Sequence, residues 1–145
     1  MKNKQVLDAQ QMQHLQELGL ELKETMLYWV VLEAGHENNF VTTKENAMGV
    51  IDESCGMLPA YTVQDVLDAL PLQVEIPFHP ECGKYELRIK RMVFNTGKVM
   101  HAVVYEKSDY IDWFVLHSHE KLIDAAYEML CWVIDNKFVE TNKSE

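Results

Sequence analysis

The stretch from Leu122 to Ile134, LIDAAYEMLCWVI, constrains the fold more than any other part of the chain. Its charged positions are Asp124 and Glu128, with Asp135 just beyond. At about 100° per residue these three lie within a stripe about 40° wide. Leu122, Ile123, Ala126, Met129, Leu130, Trp132, Val133 and Ile134 surround that stripe with apolar side chains. A helix polar on so narrow a face must be covered on more than one side. It therefore sits between a sheet and another helix, or it forms a subunit interface. The second option gives the expectation of a homodimer through the C-terminal helix.

The rest of the chain supplies a sheet for that helix to cover. Near the N-terminus Leu7, Met12, Leu15 and Leu18 fall close to helical spacing among glutamines, and Gly19 supplies a stop. This predicts an amphipathic helix over about 8–18. MLYWVVLEA and NNFVTT are β-branched and aromatic and flank AGHENN, which reads as a hairpin loop. Residues 44–58 have weak periodicity and read as irregular chain or a short edge strand. In LPAYTVQDVLDALP, Thr62 is a good N-cap, Asp65 follows three residues on, and Pro71 forbids continuation. Val63, Val66, Leu67 and Leu70 give this short central helix one apolar face. LQVEI, KYELRIKRMVF and KVMHAVVYE are β-rich, with NTGK a turn between the last two and WFVLHS a candidate further strand. Their short connections imply an antiparallel meander. The expected fold is α+β: one domain over 1–145, an antiparallel sheet of about five strands, the N-terminal and central helices, and the long buried C-terminal helix. The last few residues are expected to be disordered.

Four of these stretches together resemble a group of short uncharacterised proteins from gut anaerobic bacteria and their prophages: LQELGLELKETMLYWV, LPAYTVQDVLDALP, YELRI and LIDAAYEMLCWVIDN. The likeness spans most of the chain and runs through core and capping positions. It implies a shared fold and a prophage or mobile-element setting, and it brings no catalytic residue with it. Residues 34–58 and 105–119 lie outside the shared motifs.

Charge excludes some functions. The net charge is −10, and phosphate neutralisation supplies most nucleic-acid affinity, so direct DNA or RNA binding is not expected. Residues 84–98 are the local exception: Lys84, Arg88, Lys90, Arg91 and Lys98 face only Glu86. They read as a solvated strand pair or as a small anion- or partner-binding patch. The longest apolar run, MLYWVVL, is far short of the roughly 20 residues that span a bilayer. Cys55, Cys82 and Cys131 form no CxxC pair. With no apolar signal-like opening, a cytoplasmic protein without membrane contact is expected.

The chemical candidates centre on HSHE, residues 117–120. His117 and His119 are two apart and point the same way in an extended segment. With Glu120 they form the metal candidate, and Asp109, Asp112, His79, Cys82 or His101 could complete it. The competing reading makes Ser118 an N-cap and Glu120 a first-turn acid of the helix that begins at Leu122. His79 and Cys82 form HxxC in a Pro- and Gly-containing turn, which reads as a turn. Cys131 reads as a small buried hydrophobe, and Asp124 with Glu128 as a solvated acidic face. Tyr28, Trp29 and Phe40 fit a sheet core. There is no GxSxG, phosphate-binding loop or GxGxxG. No catalytic residue, cofactor or ligand set is assigned. The expected role is a non-enzymatic protein-interaction module with an unidentified protein partner. A metal-binding protein or metal-dependent hydrolase using HSHE is the alternative, and an acidic DNA-mimic decoy the second.

Overall fold

The computed structural model describes residues 5–32, 39–52, 55–107 and 113–141. The elements run α1 (Ala9–Glu17), β1 (Leu27–Leu32), β2 (Phe40–Thr43), α2 (Lys44–Val50), β3 (Cys55–Pro59), α3 (Val63–Ala69), β4 (Gln73–Glu75), a 3-10 turn at Pro80–Cys82, β5 (Lys84–Val93), β6 (Val99–Glu106), β7 (Trp113–His119) and α4 (Leu122–Asp135). The class is α+β, but the strands number seven among the described residues and form two antiparallel sheets. Their orders are β2-β1-β3 and β4-β5-β6-β7. The expected single sheet of about five strands is thereby corrected. Residues 44–58 account for much of the difference. Thr43 accepts the Asn46 N–H and starts α2, and Cys55–Pro59 then pairs with β1 as an edge strand. β1 and β2 make the expected hairpin pairing. Most of its loop, and the terminal residues expected to be disordered, lie outside the described residues.

The helix boundaries follow from local chemistry. Asp8 accepts the Gln11 N–H at 2.8 Å while the Gln11 side chain accepts the Asp8 N–H at 3.0 Å, so both orphan donors at the start of α1 are satisfied. Gly19, at φ 101°, provides the left-handed residue that ends this segment. Thr62 and Asp65 form the same reciprocal box on α3, and Asp65 also accepts the Thr25 hydroxyl at 3.0 Å. That second bond ties α3 to the segment entering β1.

α4 lies against β6, β7 and α3. Ile123, Ala125, Ala126, Met129, Leu130, Val133 and Ile134 are buried by the chain itself. Within the chain, a sheet and a helix thus cover it from two sides. Gln11 of α1 reaches across to Asp124 at 3.2 Å, and the His14 and Tyr127 rings lie 6.4 Å apart. The main core draws on both sheets, on α1 and on α3, with Leu7, Met12, Leu15, Val66, Val103 and Tyr105 fully enclosed. The Tyr105 hydroxyl donates to the Pro71 carbonyl at 2.7 Å, and burial raises its pKa above the ordinary phenol value. A smaller cluster of Tyr28, Val30 and Ala47 joins β1 to α2.

The end of α4 carries a local strain that can be relieved. The Phe138 N–H reaches the Val133 carbonyl at 2.8 Å and the Lys137 N–H reaches Ile134 at 3.1 Å. This is a Schellman closure, and it holds Lys137 at φ 64°. A side chain in this region is unfavourable by roughly 1–2 kcal/mol, part of which glycine's greater unfolded-state freedom offsets. Lys137→Gly is therefore expected to raise stability by about 0.5–1 kcal/mol, read as a higher urea midpoint with unchanged slope.

Candidate functional site

The HSHE segment is not a helix entrance. β7 runs through His119, because Ser118 pairs with Ala102 and His119 with His101 on β6. Ser118 is therefore committed to the ladder, and the expectation that it caps α4 is corrected. The N-cap is Lys121, which makes no side-chain capping bond. The H-S-H alternation continuing from FVL was the signal for a longer strand.

In that strand His117 and His119 face the acidic stripe of α4. His117 Nδ1 lies 3.7 Å from Glu128 Oε2, and His119 Nδ1 lies 3.8 Å from Asp124 Oδ2. Both separations exceed a good hydrogen bond. The His119 Nδ1 instead accepts the Lys121 N–H at 3.3 Å. The His117 Nε2 is buried with no hydrogen-bond partner among the described residues. Glu120 turns to Lys98 at 3.3 Å. His101 stands beside His119 across the sheet. His79 and Cys82 precede the far end of β5, about 23 Å of strand away from the position opposite His101. There His79 pairs with Glu81 at 3.0 Å. Asp109 and Asp112 lie outside the described residues. Among the described residues no group of three or more His, Cys, Asp or Glu side chains is placed to hold a metal ion. The two histidines thus meet two separate carboxylates instead of converging on one point.

Cys131 is partly buried on α4. Burial pushes its thiol pKa up, and the neighbouring Tyr127 hydrogen bond offsets this only in part. A raised pKa lowers the thiolate fraction, and the thiolate is the reactive form. At pH 8, iodoacetamide is expected to label Cys131 at least about fivefold more slowly in the folded protein than in the unfolded chain. Peptide mass spectrometry against time gives both rates.

An open cleft of ≈ 690 Å³ lies beside the segment Leu20–Glu24 and α3, with Glu21, Glu24, Asp65, Asp68 and Glu140 on its rim. Three of these acids are already engaged, Asp68 by accepting from the Gln64 side chain at 2.7 Å. Asp65 holds the α3 cap and Thr25, and Glu24 pairs with Lys44, which holds its carboxyl below the usual range. The cleft acids act at least partly within the fold.

One surface that folding does not account for is the outer half of the β5–β6 hairpin. These strands stay in unbroken register from Glu86 opposite Glu106 to Val93 opposite Val99. β4 is only three residues long and covers β5 at 84–86. Beyond it Ile89, Val93 and Phe94 are 48%, 65% and 50% exposed, and Leu72, where β4 begins, is 79% exposed. Arg88, Lys90, Arg91 and Lys98 lie among them, while Lys84 sits opposite Glu75 of β4. Arg88 pairs with Glu86, Lys90 with Glu106 at 2.7 Å, and Lys98 with Glu120. Arg91 makes no ion pair among the described residues. Sequence reasoning found the charge but missed the exposed apolar side chains. The visible signal was RIKR, in which cations on both faces leave neither face fit to be covered.

No protein-family model matches the chain, and neither does any curated protein or solved structure. No helix among the described residues is long and apolar enough to cross a membrane.

Proposed function

We propose that the chain is a protein-interaction module, a non-enzymatic accessory of the prophage or mobile element that its sequence resemblance implies, and that it engages its partner through the outer β5–β6 hairpin. One observation supports this above the others: Ile89, Val93 and Phe94 stay exposed beside a cation excess in a chain of net charge −10. Large apolar side chains left open to solvent on neighbouring positions of one hairpin are the material of a contact surface. Cations around them fit an acidic partner and hasten its encounter.

The test is a quantitative co-purification from the organism that encodes the chain, using wild type and Val93→Asp/Phe94→Asp as baits. Both positions are exposed, so the variant is expected to fold with an unchanged circular-dichroism spectrum. A discrete protein held by wild type should be depleted at least about tenfold with the variant. Identical protein sets from both baits would overturn the proposal.

A further inference from the structure

The backbone of β5 specifies what kind of partner this surface accepts. The Leu87 N–H donates to the Leu72 carbonyl at 2.9 Å, on the β4 side of the strand. The Phe94 N–H donates to Lys98 at 2.9 Å, on the β6 side. Backbone groups alternate sides along a strand, and the register between these points is unbroken. The N–H and C=O groups of Ile89, Arg91 and Val93 therefore all point to the edge that β4 leaves uncovered. Among the described residues none of them makes a backbone hydrogen bond. Three successive donor–acceptor pairs on one edge are a template for an added strand.

Building on the protein-interaction reading above, we propose that this edge binds an extended acidic strand of the partner, added along β5 as a continuation of β4. Paired residues share a face of the sheet. Ile89 is opposite Val103 and so faces the α4 side, together with Arg91 and Val93. Arg88 and Lys90 face the other way. The added strand thus needs acids opposite Arg88, Lys90 and Arg91, and apolar residues opposite Ile89 and Val93. A second copy of this chain does not meet that requirement, because antiparallel β5 against β5 centred at 89, 90 or 91 sets Arg88 against Lys90, Lys90 against Lys90 or Arg91 against Arg91, and like charges across a ladder repel. β7 is also an edge, yet none of its side chains from Phe114 to His119 is as open to solvent as those of Ile89 and Val93. Nucleic acids and anionic membranes carry no strand of alternating backbone donors and acceptors to pair with Ile89, Arg91 and Val93.

The test uses the full chain, isotope-labelled, titrated with the capped peptide acetyl-GVSEEVEG-amide, whose order suits an antiparallel fit to positions 93 to 88. Binding should saturate, move the amide resonances of Ile89, Arg91 and Val93, and weaken as salt rises. Arg91→Glu reverses a cation that makes no ion pair among the described residues. Arg91→Pro removes an N–H aimed at the open edge and none that β6 uses. Each should weaken the peptide about tenfold or more; Arg91→Glu keeps the test valid if the proline variant does not fold. The lysine counterpart acetyl-GVSKKVKG-amide should not bind. Absent binding of the acidic peptide, equal binding of both peptides, or tighter binding of polythymidylate or phosphatidylserine vesicles would each overturn the proposal. If the acidic peptide fails while Val93→Asp/Phe94→Asp still loses its co-purifying protein, strand addition falls and the interaction reading stands.

Discussion

Replacing Leu130 with Ala is expected to lower stability by about 2–5 kcal/mol, the range for deleting a fully enclosed leucine. Leu130 is completely buried on α4, in the cluster where both sheets, α1 and α3 meet. The loss has two parts: the apolar surface removed from the core, and a cavity that the surroundings fill only partly. Collapse should be limited, because Met129, Val133 and Val103 are themselves fully enclosed. Glu128→Ala, two residues away on the exposed side of the same helix, is the control and should change stability by no more than about 0.5 kcal/mol. Urea unfolding of both variants gives the comparison. A Leu130→Ala effect below about 1 kcal/mol would place α4 outside the core.

Phe114→Ala should cost about 3 kcal/mol, near the lower end for aromatic truncation because its site is only partly buried. The ring is the junction of an aromatic group that closes one end of the core. Its centroid lies 5.5 Å from Tyr85, 5.4 Å from Trp132 and 6.2 Å from Phe138, the last two edge-on. Trp132 and Phe138 in turn stack at 5.4 Å. The register shift between Tyr105 and Glu106 is the backbone irregularity beside it, where one extra residue re-aims a side chain. Because these rings share contacts, the Phe114→Ala and Phe138→Ala losses should not add. An additive double variant would show that the rings pack independently.

Much of this architecture was legible in the chain because local and tertiary demands agree. The narrow Asp124, Glu128 and Asp135 stripe required cover on several sides, and β6, β7 and α3 supply it. Thr62 was readable as a helix start because its capping bonds are made within three residues; Asp8 caps α1 in the same way but was not singled out. HSHE misled because Ser118 suits a cap in isolation, while its ladder partner Ala102 lies far away in sequence. In residues 44–58 the short edge strand is present as β3, formed by pairing with β1, whereas α2 was missed although Thr43 caps it locally. The hairpin surface was half legible. Charge is written in the residues, but exposure of Ile89 and Val93 depends on where β4 stops, which no local pattern states.

The central claim is that the outer β5–β6 hairpin is where this protein meets its partner. Its most direct measurement places a photo-crosslinking amino acid at Val93, and separately at Gln10 on the exposed side of α1, in the encoding organism. A discrete adduct from Val93, absent from Gln10 and suppressed by the Arg91→Glu substitution, is the predicted result. The same adducts from both positions, or a Val93 adduct indifferent to Arg91→Glu, would contradict it.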